Sequence, residues 1–177
     1  MSRYRRAFDG RTYFFTVIAY RRRPILCDLM IRAALRDAIR AVRITRPFTI
    51  DAWVLLPDHL HCIWTLPEHD TNFSQRWSQI KHHVSRACGD AYPMRQSVSG
   101  VKRGEASIWQ RRFWEHRIRD DRDMERHMDY VHFNPVKHGH VEQAIAWPYS
   151  TLRRHVDAGW YPEDWAGRPE LDTIDLE

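Results

Sequence analysis

The stretch that most constrains the fold is a pair of apolar runs, TIDAWVLL (49–56) and HLHCIWTL (59–66), separated by only Pro57-Asp58. Two turn-forming residues between β-branched and aromatic runs require a tight antiparallel hairpin. Segments of helical period flank it. Over 25–43, Leu26, Leu29, Met30, Ala33, Ala34, Ile39 and Val42 form a stripe, with Arg32, Arg36, Arg40 and Arg43 outside and Pro47 as the stop. Over 72–88, Asn72 is placed to cap a second helix that repeats Phe73, Trp77, Ile80 and Val84.

The remaining elements follow from the same two periods. TYFFTVIAY (12–20) predicts a buried strand, and SIWQRRFWEHRI (107–118) a second one after a loop over 89–107 that carries Gly, Pro and Ser. Asp120 is placed to cap a third helix, with Asp123 at the box position, ending near Asn134 because Pro135 follows. The order β, α, β, β, α, β, α is that of an α+β, ferredoxin-like (split βαββαβ) antiparallel sheet with an appended helix and a C-terminal extension from about residue 141. WPYS (147–150) and GWYPEDW (159–165) read as a strap packed on that domain.

Charge divides the chain more sharply than its net +5 suggests. Residues 157–177 carry seven acids against Arg168, which leaves +11 on residues 1–156. The expectation is a domain over 1–156 with a polyanion-binding surface, and an acidic tail over 157–177 able to lie over it. Of the 28 cations only Lys81, Lys102 and Lys137 are lysines. Arginine's planar fork suits phosphate, although a codon bias toward Arg gives the same composition. Three widely separated cysteines exclude a disulfide framework or a zinc ribbon, and no apolar run approaches the length of a membrane span. Neither a phosphate-cradling G-x-x-x-x-G-K-[ST] nor a G-x-G-x-x-G is present. A soluble cytoplasmic protein is expected.

Two spacings carry chemistry. His59 and His61 alternate along a strand, so both imidazoles face one way and can converge on one ion; the same pattern also suits the wetter face of an edge strand. Tyr130 and Asn134, four apart on a helix, share a face. Asn134 can then complete the ligand set while the Tyr130 hydroxyl approaches the substrate, or the pair can be a core residue and a helix end before Pro135. Three functions fit these residues: a tyrosine nuclease, a phosphohydrolase with water as nucleophile, and a nucleic-acid-binding module without catalysis.

Four long motifs bear on that choice: YRRAFDGRTYFFTVIAYRRRPIL (4–26), WVLLPDHLHCIWTLPE (53–68), WQRRFWEHRIRDDRDMERH (109–127) and HMDYVHFNPVKHG (127–139). Together, and in this order, they resemble the REP-associated tyrosine transposases, a branch of the single-tyrosine HUH nucleases. The resemblance implies that His59 and His61 are the paired metal ligands, Asn134 the third ligand and Tyr130 the nucleophile. It implies a divalent metal, Mg²⁺ or Mn²⁺, and single-stranded hairpins of repetitive extragenic palindromes as partners, cut and rejoined through a 5′-phosphotyrosine. Asp58 departs from the Asn found in many relatives. A monomer associated with the nucleoid, and no membrane partner, is expected.

For contact with DNA phosphates the expected set is Arg3, Arg5, Arg6, Arg22, Arg23, Lys81, Arg111, Arg112, Arg119, Lys137 and His138, with Arg21 and Arg117 as further candidates. Tyr4, Trp109, Trp114 and Phe133 are candidates for stacking on unpaired bases. His82, His83, His127, His132 and His140 read as structural.

Overall fold

A computed structural model describes residues 10–92 and 108–167. Its sheet consists of β1 (Thr12–Ile18), β2 (Thr49–Leu55), β3 (His59–Thr65) and β4 (Trp114–Arg117). The order is β2-β3-β1-β4, with every neighbouring pair antiparallel. This is the split βαββαβ topology expected from the order of periods. The hairpin closes as predicted, the Leu56 N–H donating to the His59 carbonyl at 2.9 Å across Pro57-Asp58.

Strand alternation sorts the side chains onto two faces. Tyr13, Phe15, Val17, Leu60, Cys62 and Trp64 point into a core shared with α1 (Leu29–Thr45) and α2 (Phe73–Cys88). Phe14, Ala52, Val54 and Ile63 point the other way, against α3 (Asp121–Lys137). His59 and His61 share the second face. A short α4 (Leu152–Asp157) and the strap beyond it close this side, where Tyr161 is buried and its hydroxyl donates to the Asp129 carboxylate at 2.8 Å. Gly167 ends the described strap at φ +82°, with its Cα against the Phe133 ring, so a Cβ has no room there.

Four sequence expectations are corrected. Helix α1 starts at Leu29 rather than 25, because the Leu26 N–H is held by the Pro57 carbonyl at 2.7 Å and Leu26 itself fills the core. Its buried stripe is Ile31, Leu35, Ala38 and Val42, while Leu29 is 74% exposed and Met30 51%. The strand expected over 107–118 forms only as β4. Thr16 pairs with Trp114 but Ala19 already bridges Trp109, so the chain between them carries two extra residues and leaves the ladder. Helix α3 continues through Pro135 to Lys137. Pro135 lies in its last turn, where one lost N–H is tolerated and the His138 and His140 N–H groups hold the Asn134 and Pro135 carbonyls. Most of the loop expected over 89–107 lies outside the described residues. No helix among the described residues is long and apolar enough to cross a membrane.

Candidate functional site

β3 and α3 bring their chemistry-bearing residues together where the two elements face each other. The His59 and His61 rings lie 4.8 Å apart between centroids, and the Tyr130 ring is 5.2 Å from His61. His59, His61, Tyr130 and Asn134 are all buried, Tyr130 at 1% exposure. Phe14 packs against both the His61 and Tyr130 rings, and the Lys137 ammonium sits 4.9 Å from the centroid of the Tyr130 ring, two helical turns above it.

The outer nitrogen of each imidazole has a partner. His59 Nδ1 lies 2.7 Å from the Asp58 carboxylate, and His61 Nδ1 lies 2.9 Å from the Thr16 hydroxyl. Committing Nδ1 in this way assigns Nε2 as the atom that would bind a cation. The Asn134 amide adds an independent observation: it is fully buried, and neither its oxygen nor its nitrogen has a hydrogen-bond partner among the described residues. A buried amide of that kind costs free energy unless a ligand completes it. Two imidazoles and an amide oxygen fit a divalent cation of intermediate softness. Burial alone raises the Asp58 carboxyl, but hydrogen bonding and charge from His59, with help from Arg22 at 3.1 Å, outweigh it and hold the group at about 2. It therefore stays ionised beside His59.

A second cluster lies one to two turns nearer the N-terminus of α3. His116 from β4 meets Asp123 at 2.8 Å, and His127 Nδ1 reaches the Asp123 carbonyl at 2.7 Å and its carboxylate at 3.2 Å. The ligand atoms of these three residues lie within 4.8 Å of one another, so they too could hold a metal. The His116 and His127 rings stack at 4.6 Å. Burial pushes His127 down. Burial pushes Asp123 up, but His116, the Arg119 N–H and His127 prevail and lower it. His116 is not among the residues the sequence points to, and His127 is set there among the structural histidines. Asp123 and His127 at i, i+4 are the signal that could have found the pair.

The expected phosphate contacts separate into groups. Arg22 reaches the site through Asp58, Lys137 covers Tyr130, and His138 lies 5.0 Å from the His59 ring. Arg23 lies over Tyr92, and Arg119 pairs with Asp123 at 3.3 Å. Arg111 and Arg112 are exposed beside β4. Lys81 donates to the Gln110 carbonyl at 2.9 Å, and burial pulls its ammonium down to about 8. Arg3, Arg5 and Arg6 lie outside the described residues, as does Tyr4. Of the other candidate stacking residues, Trp109 and Phe133 are buried in the two cores, whereas Trp114 is 41% exposed and stacks on His116.

A buried histidine pair faces a helix-borne tyrosine on a split βαββαβ sheet, and residues 8–134 match the family described as "Transposase IS200 like". The chain belongs to that family, a class of enzymes. It is 49% identical over 168 residues to the REP-associated tyrosine transposase of Escherichia coli (strain K12), covering 94% of this chain and 92% of the relative. A protein of Haemophilus influenzae (strain ATCC 51907 / DSM 11121 / KW20 / Rd) is 44% identical over 177 residues, covering 97% of each. The solved structure of a REP-associated tyrosine transposase bound to a REP hairpin superposes with a TM-score of 0.77 at 47% identity, spanning 99% of this chain and 95% of that one.

Proposed function

We propose that this protein is a single-stranded DNA endonuclease and strand transferase acting on repetitive extragenic palindromic hairpins, with Tyr130 as its nucleophile. The observation that carries this reading is the convergence of His59, His61 and Tyr130 on one buried patch between β3 and α3, with the buried Asn134 amide one helical turn from Tyr130. The hairpin as substrate is supported by the 47% identical relative, which was solved bound to a REP hairpin.

In the reaction the Tyr130 oxygen attacks the scissile phosphorus in line. The new oxygen–phosphorus bond gives a 5′-phosphotyrosine as the bond to the 3′ oxygen breaks, and the proton given up by the phenol is balanced by the one taken up by the departing 3′-hydroxyl. Because the phosphodiester energy is kept in that link, a second 3′-hydroxyl can reverse the step and join a new strand. His59, His61 and Asn134 would hold a divalent ion, Mg²⁺ or Mn²⁺, which when bound supplies Lewis-acid polarisation of the phosphate. The Asp58 carboxylate, which can only accept, fixes His59 in the tautomer that leaves Nε2 for the ion, and the Thr16 hydroxyl does the same for His61 when it accepts from Nδ1. Arg22, Lys137 and His138, beside the site, serve the phosphates next to the cut. The protein works as a monomer in the cytoplasm, associated with the nucleoid.

The test is denaturing electrophoresis after incubation with labelled hairpin DNA and Mn²⁺. The parent should give cleaved strand and a protein–DNA adduct that survives denaturation. Tyr130→Phe should give neither, while binding the hairpin within about twofold of the parent, because the ring still packs. Cleavage by Tyr130→Phe, or cleavage by the parent without an adduct, would assign the chemistry to an activated water instead.

A further inference from the structure

On the flank of the molecule where α1 passes β2, a groove of about 520 Å³ is lined by Arg32, Arg36, Arg40 and Arg43 of α1 and Arg154 of α4, with Trp53 in its wall. None of its lining residues is acidic; Asp37, which pairs with Arg40 at 3.8 Å, stands outside the lining. The α1 arginines stand at i, i+4, i+8 and i+11, so they form one row about 16 Å long at 1.5 Å per residue. Arg36, Arg40 and Arg43 are exposed. Such a row repels itself unless a polyanion lies along it, and a chain of phosphates spaced along an extended strand matches its form. The neighbouring edge of β2 is already closed: Val54 bridges Ser150, and the Trp53 N–H donates to the Thr151 hydroxyl at 2.8 Å. That leaves little backbone for an added peptide strand.

A row of rings joins this groove to the candidate active site. His59 meets His138 at 5.0 Å between centroids, His138 stacks with His140 at 6.2 Å, His140 stacks with Trp147 at 5.2 Å and an interplanar angle of 25°, and Trp147 meets Tyr149 at 5.5 Å. The Arg32 guanidinium then covers the Tyr149 ring at 4.5 Å. His138 and His140 are exposed, and the half-buried Trp147 indole is fixed by its N–H donating to the Leu55 carbonyl at 2.9 Å. Accessible flat rings give unpaired bases a surface to stack on; paired bases have no free face to offer.

We propose that the arginine groove and the ring row form one track for the single-stranded DNA that flanks a hairpin, with phosphates on Arg36, Arg40 and Arg43 and bases on His140 and Trp147. The strand is thereby led to His59. This rests on the reading of the protein as a nuclease of hairpin DNA, and it adds where the unpaired strand runs.

The experiment compares two probes by fluorescence anisotropy: a REP-sequence hairpin without a flank, and the same hairpin with a single-stranded flank of roughly 8 nucleotides, a typical single-strand site size. Adding the flank should tighten binding by the full-length parent. The variant with Arg36→Ala, Arg40→Ala and Arg43→Ala changes exposed side chains, of which Arg43 also gives up its bond to the Phe48 carbonyl at 3.0 Å, and at unchanged melting temperature it should lose at least tenfold on the flanked probe while binding the bare hairpin within twofold. Its salt slope on the flanked probe should fall by about 2, because each of the three phosphates left unneutralised takes roughly 0.7 from the slope. His140→Ala should weaken flanked binding several-fold without changing that slope. The track is overturned if the triple variant binds the flanked probe as the parent does. It is equally overturned if both probes lose affinity together, which would make the groove a site for the duplex stem. A parent that cuts hairpins through Tyr130 while the variants behave as wild type sinks the track alone. A parent that binds neither probe sinks the nuclease reading together with the track.

Discussion

At the scale of single residues, the site depends on which nitrogen each histidine presents. The Thr16 hydroxyl holds His61 Nδ1 at 2.9 Å, and Thr16 is itself buried. Thr16→Val keeps the shape and the β-branch but removes that hydroxyl, so His61 Nδ1 loses this bond while the ring stays packed against Phe14 and Tyr130. The loss should appear as a rise of roughly 10- to 100-fold in the Mn²⁺ concentration giving half-maximal cleavage, the range usual when the hydrogen-bond partner of a metal ligand is removed. Hairpin binding without metal should stay as in the parent; an unchanged Mn²⁺ titration would remove Thr16 from this role. The alternation of His59 and His61 and the i, i+4 spacing of Tyr130 and Asn134 were legible because each pair lies on one element of known period. The resemblance to a known family placed all four together. Thr16, Asp58's bond to His59 and the joining of His116 to Asp123 were not legible, because each depends on register or rotamer rather than on spacing within an element.

At the scale of elements, the first turn of α3 decides how firmly Tyr130 is held against β3. Asp120 accepts the Asp123 N–H at 2.8 Å, as the capping pattern predicts. Asp123, however, reaches back past the cap to the Arg119 N–H at 3.0 Å and across to His116 on β4. The carboxylate thus ties edge strand to helix. Asp123→Ala leaves the Arg119 amide and the half-buried His116 without their acceptor, which should destabilise the fold by about 2 kcal/mol. Urea unfolding followed by circular dichroism reads this directly; a midpoint unchanged from the parent would mean the tie carries no stability. The hairpin and α2 stand where their periods placed them. Three of the four corrections share one cause, that tertiary contacts overrode local pattern: Leu26 anchored on Pro57 shifted the start and face of α1, and Trp109 drawn into the core cut β4 short.

At the scale of the whole molecule, the C-terminal strap makes stability depend on pH through His155. This ring is buried between Trp160, stacked at 4.8 Å, and Tyr161, and its Nδ1 lies 3.2 Å from His132 Nε2. Its Nε2 accepts from Arg154 at 3.2 Å, which holds it in the neutral Nδ1–H form. Burial, then the Arg154 charge, pull it down to about 4. A histidine lowered in the folded state binds its proton more readily once unfolded. The stability it supports is therefore complete above the unfolded value near 6.5 and is lost as pH falls from there toward 4. His127, His132 and His140, also lowered by burial, add to the loss in the same window and with the same sign, whereas two other shifted groups fall outside it. Asp58, at about 2 when folded, begins to cost stability only below about 4, and Lys81, at about 8 when folded, has its full cost in place at every pH below 8. The melting temperature should thus fall between about pH 6.5 and 4.5 in thermal unfolding at constant ionic strength. His155→Phe preserves a flat ring for Trp160 and removes the titrating nitrogen, so its melting temperature should start lower at neutral pH for want of the Arg154 and His132 contacts yet decline less steeply with acid. Parallel parent and variant curves across this window would show that the acid sensitivity arises elsewhere than at the strap.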